Sequence, residues 1–339
     1  MATLKHFQVL IEEFESPALR GNPAGDPSVR EVAVIAPRWA ASAPAGAGRC
    51  PVVLVLAGFT SSGPMLLNRR AWLPSLPETL DRLREEGRIG DLIAVLPDAL
   101  TIYGGSQYLN STATGRYRDM LTDDLIPWID RRFPTLAAAG HRAVAGKSSG
   151  GYGALRLAME RPDLVSAVAC HSGDMYFEYC YRHDFPKLLA QIDRHGSIEK
   201  FMEAFLAAPK KTSEQILAVD LVAMAAAYSP NPAKPWRVDL PFDERTGEID
   251  PAVWARWLEH DPVRLVEQCA EALRGMRLVF LDCGSRDQFH LHWGLRILRE
   301  RLQRLNVPHV AEEFDDDHMD TGYRYQVSLP KVWNAIRPE

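Results

Sequence analysis

The sequence predicts an α/β fold, a mostly parallel sheet with helices on both faces. Three observations lead there. Runs such as Pro51–Leu56 (P-V-V-L-V-L) and Leu92–Leu96 are strand-length and apolar throughout, as strands covered on both faces are. Helical stretches alternate with these runs, which requires right-handed crossovers between parallel neighbours. One short strand, Ala143–Ala145, breaks into a helix through Gly146-Lys147-Ser148-Ser149-Gly150.

Taken in order, His6–Phe14 and Glu31–Ile35 read as strands separated by the turn-rich Gly21–Pro27, an antiparallel pair at the sheet edge. An Ala/Pro/Gly-rich connection, Arg38–Arg49, leads to the Pro51 strand, which ends in Ala57-Gly58-Phe59-Thr60. The helix Leu76–Glu86 and the strand Leu92–Leu96 follow. Ala99–Thr114 is a long, uncharged loop with tyrosines, of the kind that is ordered beside a site. Arg116–Phe133 reads as a helix kinked at Pro127, and Val165–Cys170 as another buried strand. From residue 175 to 272 the buried strands stop and helices dominate, as at Ile198–Ala207 and Ser213–Tyr228. The alternation then resumes with strands Arg277–Leu281 and His309–Phe314 and helices Trp293–Leu305 and Tyr323–Ile336. The expected division is a core of residues 1–174 and 273–339 with a cap at 175–272. Aromatics of the cap, Phe201, Phe205, Tyr228, Trp236, Trp254 and Trp257, either face the site or pack the segment onto the body or against a second subunit.

The Gly146–Gly150 pentapeptide is the G-x-S-x-G nucleophile elbow of the α/β-hydrolase fold. A serine lifted clear of the backbone by so sharp a turn needs nearly side-chain-free residues two before and two after it. Centring on Ser148 supplies Gly146 and Gly150; centring on Ser149 would put Lys147 in the turn. Ser148 is therefore the candidate nucleophile.

A serine hydroxyl needs a general base, itself oriented by a carboxylate. In this fold the acid and then the histidine follow the serine, each just past the C-terminal end of a strand. Asp287 follows the Arg277 strand, and His318 follows the His309 strand. Asp282 is the competing acid, but it sits too close to the strand to reach across. Backbone N–H groups of Ser149 and of Phe59 are the expected oxyanion donors. Trp72, Tyr103 and Tyr108 either line a substrate pocket or pack in the core. Lys147 reads as solvated.

Composition narrows the function classes. Of 339 residues, 46% are apolar and 24% charged, with a net charge of −5, which gives nucleic acid or an anionic membrane no electrostatic footing. No run of 18 apolar residues and no signal peptide are seen. Five cysteines without a CxxC fit free thiols in a reducing, cytoplasmic setting. Neither Asp287/His290/His292 nor Cys170/His171/Cys180/His183 has zinc-ligand spacing, so no metal or organic cofactor is expected. The expected partner is a small-molecule ester, with self-association open.

Several segments together resemble one family. L-A-G-F at Leu56–Phe59, G-K-S-S-G-G-Y-G-A-L at Gly146–Leu155, R-P-D-L at Arg161–Leu164, H-S-G-D at His171–Asp174 and C-G-S-R-D at Cys283–Asp287 are similar to the esterase-D-like "putative esterase" family. That family includes S-formylglutathione hydrolases, enterochelin-type and feruloyl esterases, and mycolyltransferases. The resemblance spans roughly Pro51–Asp174 and Arg277–Ile336. It implies an α/β-hydrolase fold, a Ser148–His318–Asp287 triad, and oxyanion donors at Phe59 and Ser149. The sequence departs from the family at Ser149, where an apolar residue is common, and at D-D-H-M-D around His318. The expected activity is carboxylic-ester hydrolysis through an acyl-enzyme. The rivals are acyl transfer to an alcohol by the same triad and a catalytically silent binding protein on this fold.

Overall fold

The computed structural model describes residues 4–41 and 48–338, so part of the Arg38–Arg49 connection lies outside the described residues. Eight strands form the main sheet: β1 (Phe7–Glu15), β2 (Val29–Pro37), β3 (Val52–Leu56), β4 (Ile93–Pro97), β5 (Arg142–Lys147), β6 (Ala167–His171), β7 (Leu278–Gly284) and β8 (Val310–Phe314). Their order is β1-β2-β4-β3-β5-β6-β7-β8. β1 runs antiparallel to β2, and β2 antiparallel to β4; every other pairing is parallel. The first two strands thus occupy one edge, and β5, which feeds the elbow, lies in the interior.

The principal helices are α1 (Leu76–Glu85), α2 (Ile126–Arg132), α3 (Ser149–Glu160), α4 (Phe185–His195), α5 (Ile198–Ala207), α6 (Ser213–Tyr228), α7 (Pro251–Leu258), α8 (Leu291–Arg304) and α9 (Tyr325–Ile336). Alternation along the strands sends side chains to two separate cores. Val53, Val55, Ala143, Ala145, Ala167 and Ala169 meet α1 and α9 on one face. Val52, Leu54, Leu56, Val144 and Val168 face the other side, where α3 and α8 pack.

Residues 175–272 add no strand to the main sheet. Their apolar side chains, among them Phe177, Phe201, Tyr228 and Trp257, join the α3-side core rather than enclosing one of their own. The stretch read as one kinked helix at Arg116–Phe133 contains a π-helical segment, Met120–Leu125, immediately before α2. Pro127, in the first turn of α2, has no N–H to give and crowds the carbonyl four residues back; a widened turn relieves both. Among the described residues no helix is long and apolar enough to cross a membrane.

Candidate active site

Ser148 caps the turn between β5 and α3 with φ 58° and ψ −129°, a backbone conformation unusual for a residue with a side chain. The flanking glycines explain how the chain reaches it. A Cβ on Gly146 would lie 2.2 Å from the Gly150 carbonyl oxygen, and one on Gly150 only 2.1 Å from that of Leu56. The turn is held by two backbone bonds. The Ser148 N–H donates to the His171 carbonyl at 2.9 Å, and the Ser148 carbonyl accepts from Tyr152 N–H at 2.9 Å. Ser149 begins α3 in ordinary helical geometry. Its hydroxyl is buried and donates to Asp174 Oδ2 at 3.1 Å.

His318, on the loop after β8, and Asp287, on the loop after β7, meet with Nδ1 and Oδ2 2.7 Å apart. Both are buried, at 5% and 1% exposure. Burial alone opposes ionisation of Asp287. The hydrogen bond and charge of His318, with the Phe289 N–H on Oδ1 at 2.9 Å, outweigh it and hold the carboxyl below its ordinary range. An ionised Asp287 makes His318 Nδ1–H the donor, so Nε2 is the nitrogen left for chemistry. The Phe289 ring packs edge-on to the imidazole at 4.7 Å, and the backbone N–H of His318 donates to Gln288 Oε1 at 2.9 Å, anchoring the loop that carries it. The two loops can meet because residue 284 is glycine: a Cβ there would stand 2.5 Å from the Asp316 carbonyl oxygen.

Ser148 and His318 border a single cavity of about 480 Å³, together with Gly58, Phe59 and Ser149 from the two expected oxyanion segments. The first N–H groups of a helix have no intrahelical acceptor, which leaves that of Ser149 at the start of α3 available to a ligand. The 175–272 segment contributes Cys180 and Tyr181 and one face of α6, Ile216, Leu217 and Asp220. At the rim, Arg70 pairs with Asp320.

The three aromatic candidates lie elsewhere. Trp72 is 99% exposed on a turn closed by the Arg70–Leu73 bridge, with φ 65°, and points into solvent. Tyr103 is packed edge-on to Trp236, its hydroxyl donating to the Trp236 carbonyl at 2.8 Å. Tyr108 is buried against α3, and its hydroxyl donates to the Ala57 carbonyl at 2.7 Å, bracing the strand end that carries Gly58. Both tyrosines are thus buried and outside the cavity lining, and Trp72 lies in solvent. None of the six cap aromatics borders the cavity either. Phe201, Tyr228, Trp254 and Trp257 are buried in the core, and the residues of 175–272 that do line the cavity are Cys180, Tyr181, Ile216, Leu217 and Asp220.

Lys147, expected in solvent, is half-buried on the cavity wall. Burial pushes its ammonium below the ordinary lysine range, against the pull of Asp287, Asp320 and Asp317. Asp282 is engaged apart from the cavity. Its Oδ1 accepts from His171 Nδ1 at 2.7 Å, its Oδ2 accepts from Arg324 Nε at 2.8 Å, and His171 Nε2 in turn meets Ser328 Oγ at 2.9 Å. This second serine–histidine–aspartate array is fully enclosed, with Ser328 at 0% exposure and no opening to a substrate. Two buried polar residues of the site carried weak sequence signals. Asp174 ends the H-S-G-D segment, and Gln107, in the long loop, donates to Asp174 Oδ2 at 3.0 Å. Tyr181 Oη also donates to that oxygen, at 2.8 Å. Among the described residues no group of three His, Cys, Asp or Glu is placed to hold a metal ion, and the five cysteines are unpaired.

Comparison with known proteins agrees with this architecture. Esterase Rv1288 of Mycobacterium tuberculosis is 25% identical over 219 residues, 63% of this chain and 38% of that protein. The chain thus spans well under half the length of that curated relative. An endo-1,4-beta-xylanase/feruloyl esterase of Xylanibacter ruminicola is 31% identical over 97 residues, 29% of this chain and 13% of that one. In fold the chain is similar to a ferulic acid esterase (TM-score 0.63, 19% identity, 97% of this chain and 99% of the other). It is also similar to the S-formylglutathione hydrolase FrmB from Staphylococcus aureus (TM-score 0.60, 14% identity, 98% and 100%). The model of the family described as "Putative esterase" matches residues 30–331, and on that extent the chain belongs to the putative esterase family.

Proposed function

We propose that the protein hydrolyses carboxylic esters through an acyl-enzyme, with Ser148 as nucleophile, His318 as general base and Asp287 as its orienting acid. The observation that carries this reading is the 2.7 Å contact between His318 and Asp287 on the wall of the cavity that Ser148 enters from its strained turn. His318 Nε2 takes the proton of Ser148 Oγ as it attacks the ester carbonyl carbon, and Asp287 stabilises the imidazolium that forms. The N–H groups of Phe59 and Ser149 receive the oxyanion; each such donor is worth about 3 kcal/mol in the transition state. His318 then returns the proton to the leaving alkoxide, which departs as the alcohol. A water, deprotonated by the same nitrogen, attacks the acyl-Ser148 carbonyl, and the carboxylic acid leaves with Ser148 regenerated.

The test is a fluorophosphonate probe with peptide mapping, beside a panel of p-nitrophenyl esters of graded chain length. Label on Ser148, with hydrolysis abolished by Ser148→Ala and largely kept by Ser149→Ala, is the expected result. Label on Ser149, or active protein that takes no label, overturns it.

A further inference from the structure

From Ile216 to its end at Tyr228, α6 is apolar or aromatic at every position but one. The exception, Asp220, sits with Ile216 and Leu217 on the face that borders the cavity shared with Ser148 and His318. Among the described residues no hydrogen bond or ion pair engages its carboxyl, and the charged groups that act on it, Asp174 and Asp184, are themselves carboxylates. Asp174 opens onto the same cavity, its Oδ2 already accepting from Gln107, Tyr181 and Ser149. No basic side chain of the cavity is among the charges that act on Asp220. Arg70 pairs with Asp320 at the rim, and Lys147 answers to Asp287, Asp320 and Asp317. The chamber therefore has apolar and aromatic walls at Ile216, Leu217, Tyr181 and Phe289, and Asp220 faces it without a cationic partner.

Taking the reading of Ser148 as an ester nucleophile as given, we propose that the substrate carries a cationic ammonium group and that Asp220 is the residue that binds it. An acid placed among leucines and alanines raises the cost of folding, because burial disfavours its charge. Asp220 is half-buried, and desolvation, and then Asp174 and Asp184, lift its ionisation well above the ordinary range. A cation entering the chamber ionises Asp220 and forms a charge-assisted bond where water is scarce. The rings of Tyr181 and Phe289 on the same walls add faces that favour a cation over a neutral hydroxyl.

The experiment measures competitive inhibition of p-nitrophenyl acetate hydrolysis by straight-chain alkylammonium ions, propyl to hexyl, against the alcohols of equal length. The wild-type protein is expected to prefer the best ammonium over its alcohol by roughly tenfold or more, the worth of one charged hydrogen bond. Asp220→Asn, which keeps the shape and removes the charge, is expected to erase that preference. A preference that is absent from the wild type, or that survives in Asp220→Asn, overturns the proposal. Thermal melting of Asp220→Leu gives an independent reading. A raised Tm supports an acid kept for its ligand, and a lowered Tm marks a structural acid and overturns the assignment. Fluorophosphonate labelling of Ser148 in each variant keeps the two readings apart. Labelled, active protein without ammonium preference refutes the role of Asp220 alone, whereas unlabelled protein refutes the esterase reading beneath it.

Discussion

Two aspartates on β7 and the loop after it, five residues apart, hold histidines in the same way but in different surroundings. Asp287 faces a histidine on the cavity; Asp282 faces one sealed between β6, β7 and α9. His171 ties together chain segments that carry the proposed triad. Its carbonyl holds the Ser148 N–H, its Nδ1 meets Asp282, and its Nε2 meets Ser328, ten residues beyond His318. Asp287→Asn is expected to lower kcat by about 10³–10⁴, since the amide favours the wrong tautomer of His318. Asp282→Asn leaves Arg324 and His171 facing a neutral group in a buried site and is expected to cost about 2 kcal/mol or more of stability. Kinetics and urea unfolding on both variants check the division. A large loss of kcat in well-folded Asp282→Asn, with near-normal activity in Asp287→Asn, would exchange the roles. The sequence pointed to Ser148, Asp287 and His318 because steric need at the elbow and position past a strand end are local properties. It could not place Trp72 or Tyr108, whose directions depend on backbone φ of 65° and 56° in irregular segments.

At the scale of elements, periodicity located strands and helices to within a few residues, because runs buried on both faces leave no ambiguity of pattern. The π-helical segment before Pro127 escaped, since a widened turn alters bonding without altering the apolar spacing on which the reading rests. Asp220 did leave a signal, one acid in an apolar helix, but only the packing shows that it faces a cavity. His260, just past the end of α7, offers a test of how the cap is fastened. Its carbonyl accepts from Tyr152 Oη at 3.2 Å and from Arg156 Nη1 at 3.0 Å, and its ring stacks on Tyr228 at 5.2 Å. Burial, and then the charge of Arg156, push the imidazole from 6.5 down to about 4. Between those values the unfolded chain binds a proton that the folded one refuses, so stability falls as pH falls through the window. The full effect is on the order of 3 kcal/mol at the acid end. His260→Phe keeps the stack and the backbone carbonyl. Its urea midpoint is expected to lose less than the wild type between pH 7 and pH 4.5. An equal loss in both proteins would show that His260 titrates normally.

At the scale of the molecule, the 175–272 segment does two jobs with different residues. Its aromatics extend the core on the α3 face of the sheet. Trp257 is fully enclosed, donating its Nε1–H to Ser229 Oγ at 2.8 Å and packing against Tyr181, Phe185, Tyr228 and Trp254. The aliphatic face of α6 closes over the cavity instead. From sequence, six aromatics in a cap read either as a substrate gate or as packing against the body or a second subunit, because side-chain size was visible and direction was not. The structure separates the two roles, and so should substitution. Trp257→Ala removes a large enclosed side chain and is expected to cost about 3–5 kcal/mol. That is a large share of the roughly 5–15 kcal/mol that holds a typical domain. Yet the protein that remains folded should keep the wild-type ratio of kcat/KM for octanoyl over acetyl p-nitrophenyl esters. Leu217→Ala opens the cavity wall at modest cost to stability and is expected to move that ratio several-fold, since each methylene in an apolar pocket is worth about 1–3 kcal/mol. Both variants are assayed well below their Tm, so that unfolding does not enter the ratio. A Trp257→Ala protein that changes chain-length preference while Leu217→Ala does not would mean that the aromatic core, and not the α6 face, shapes the pocket.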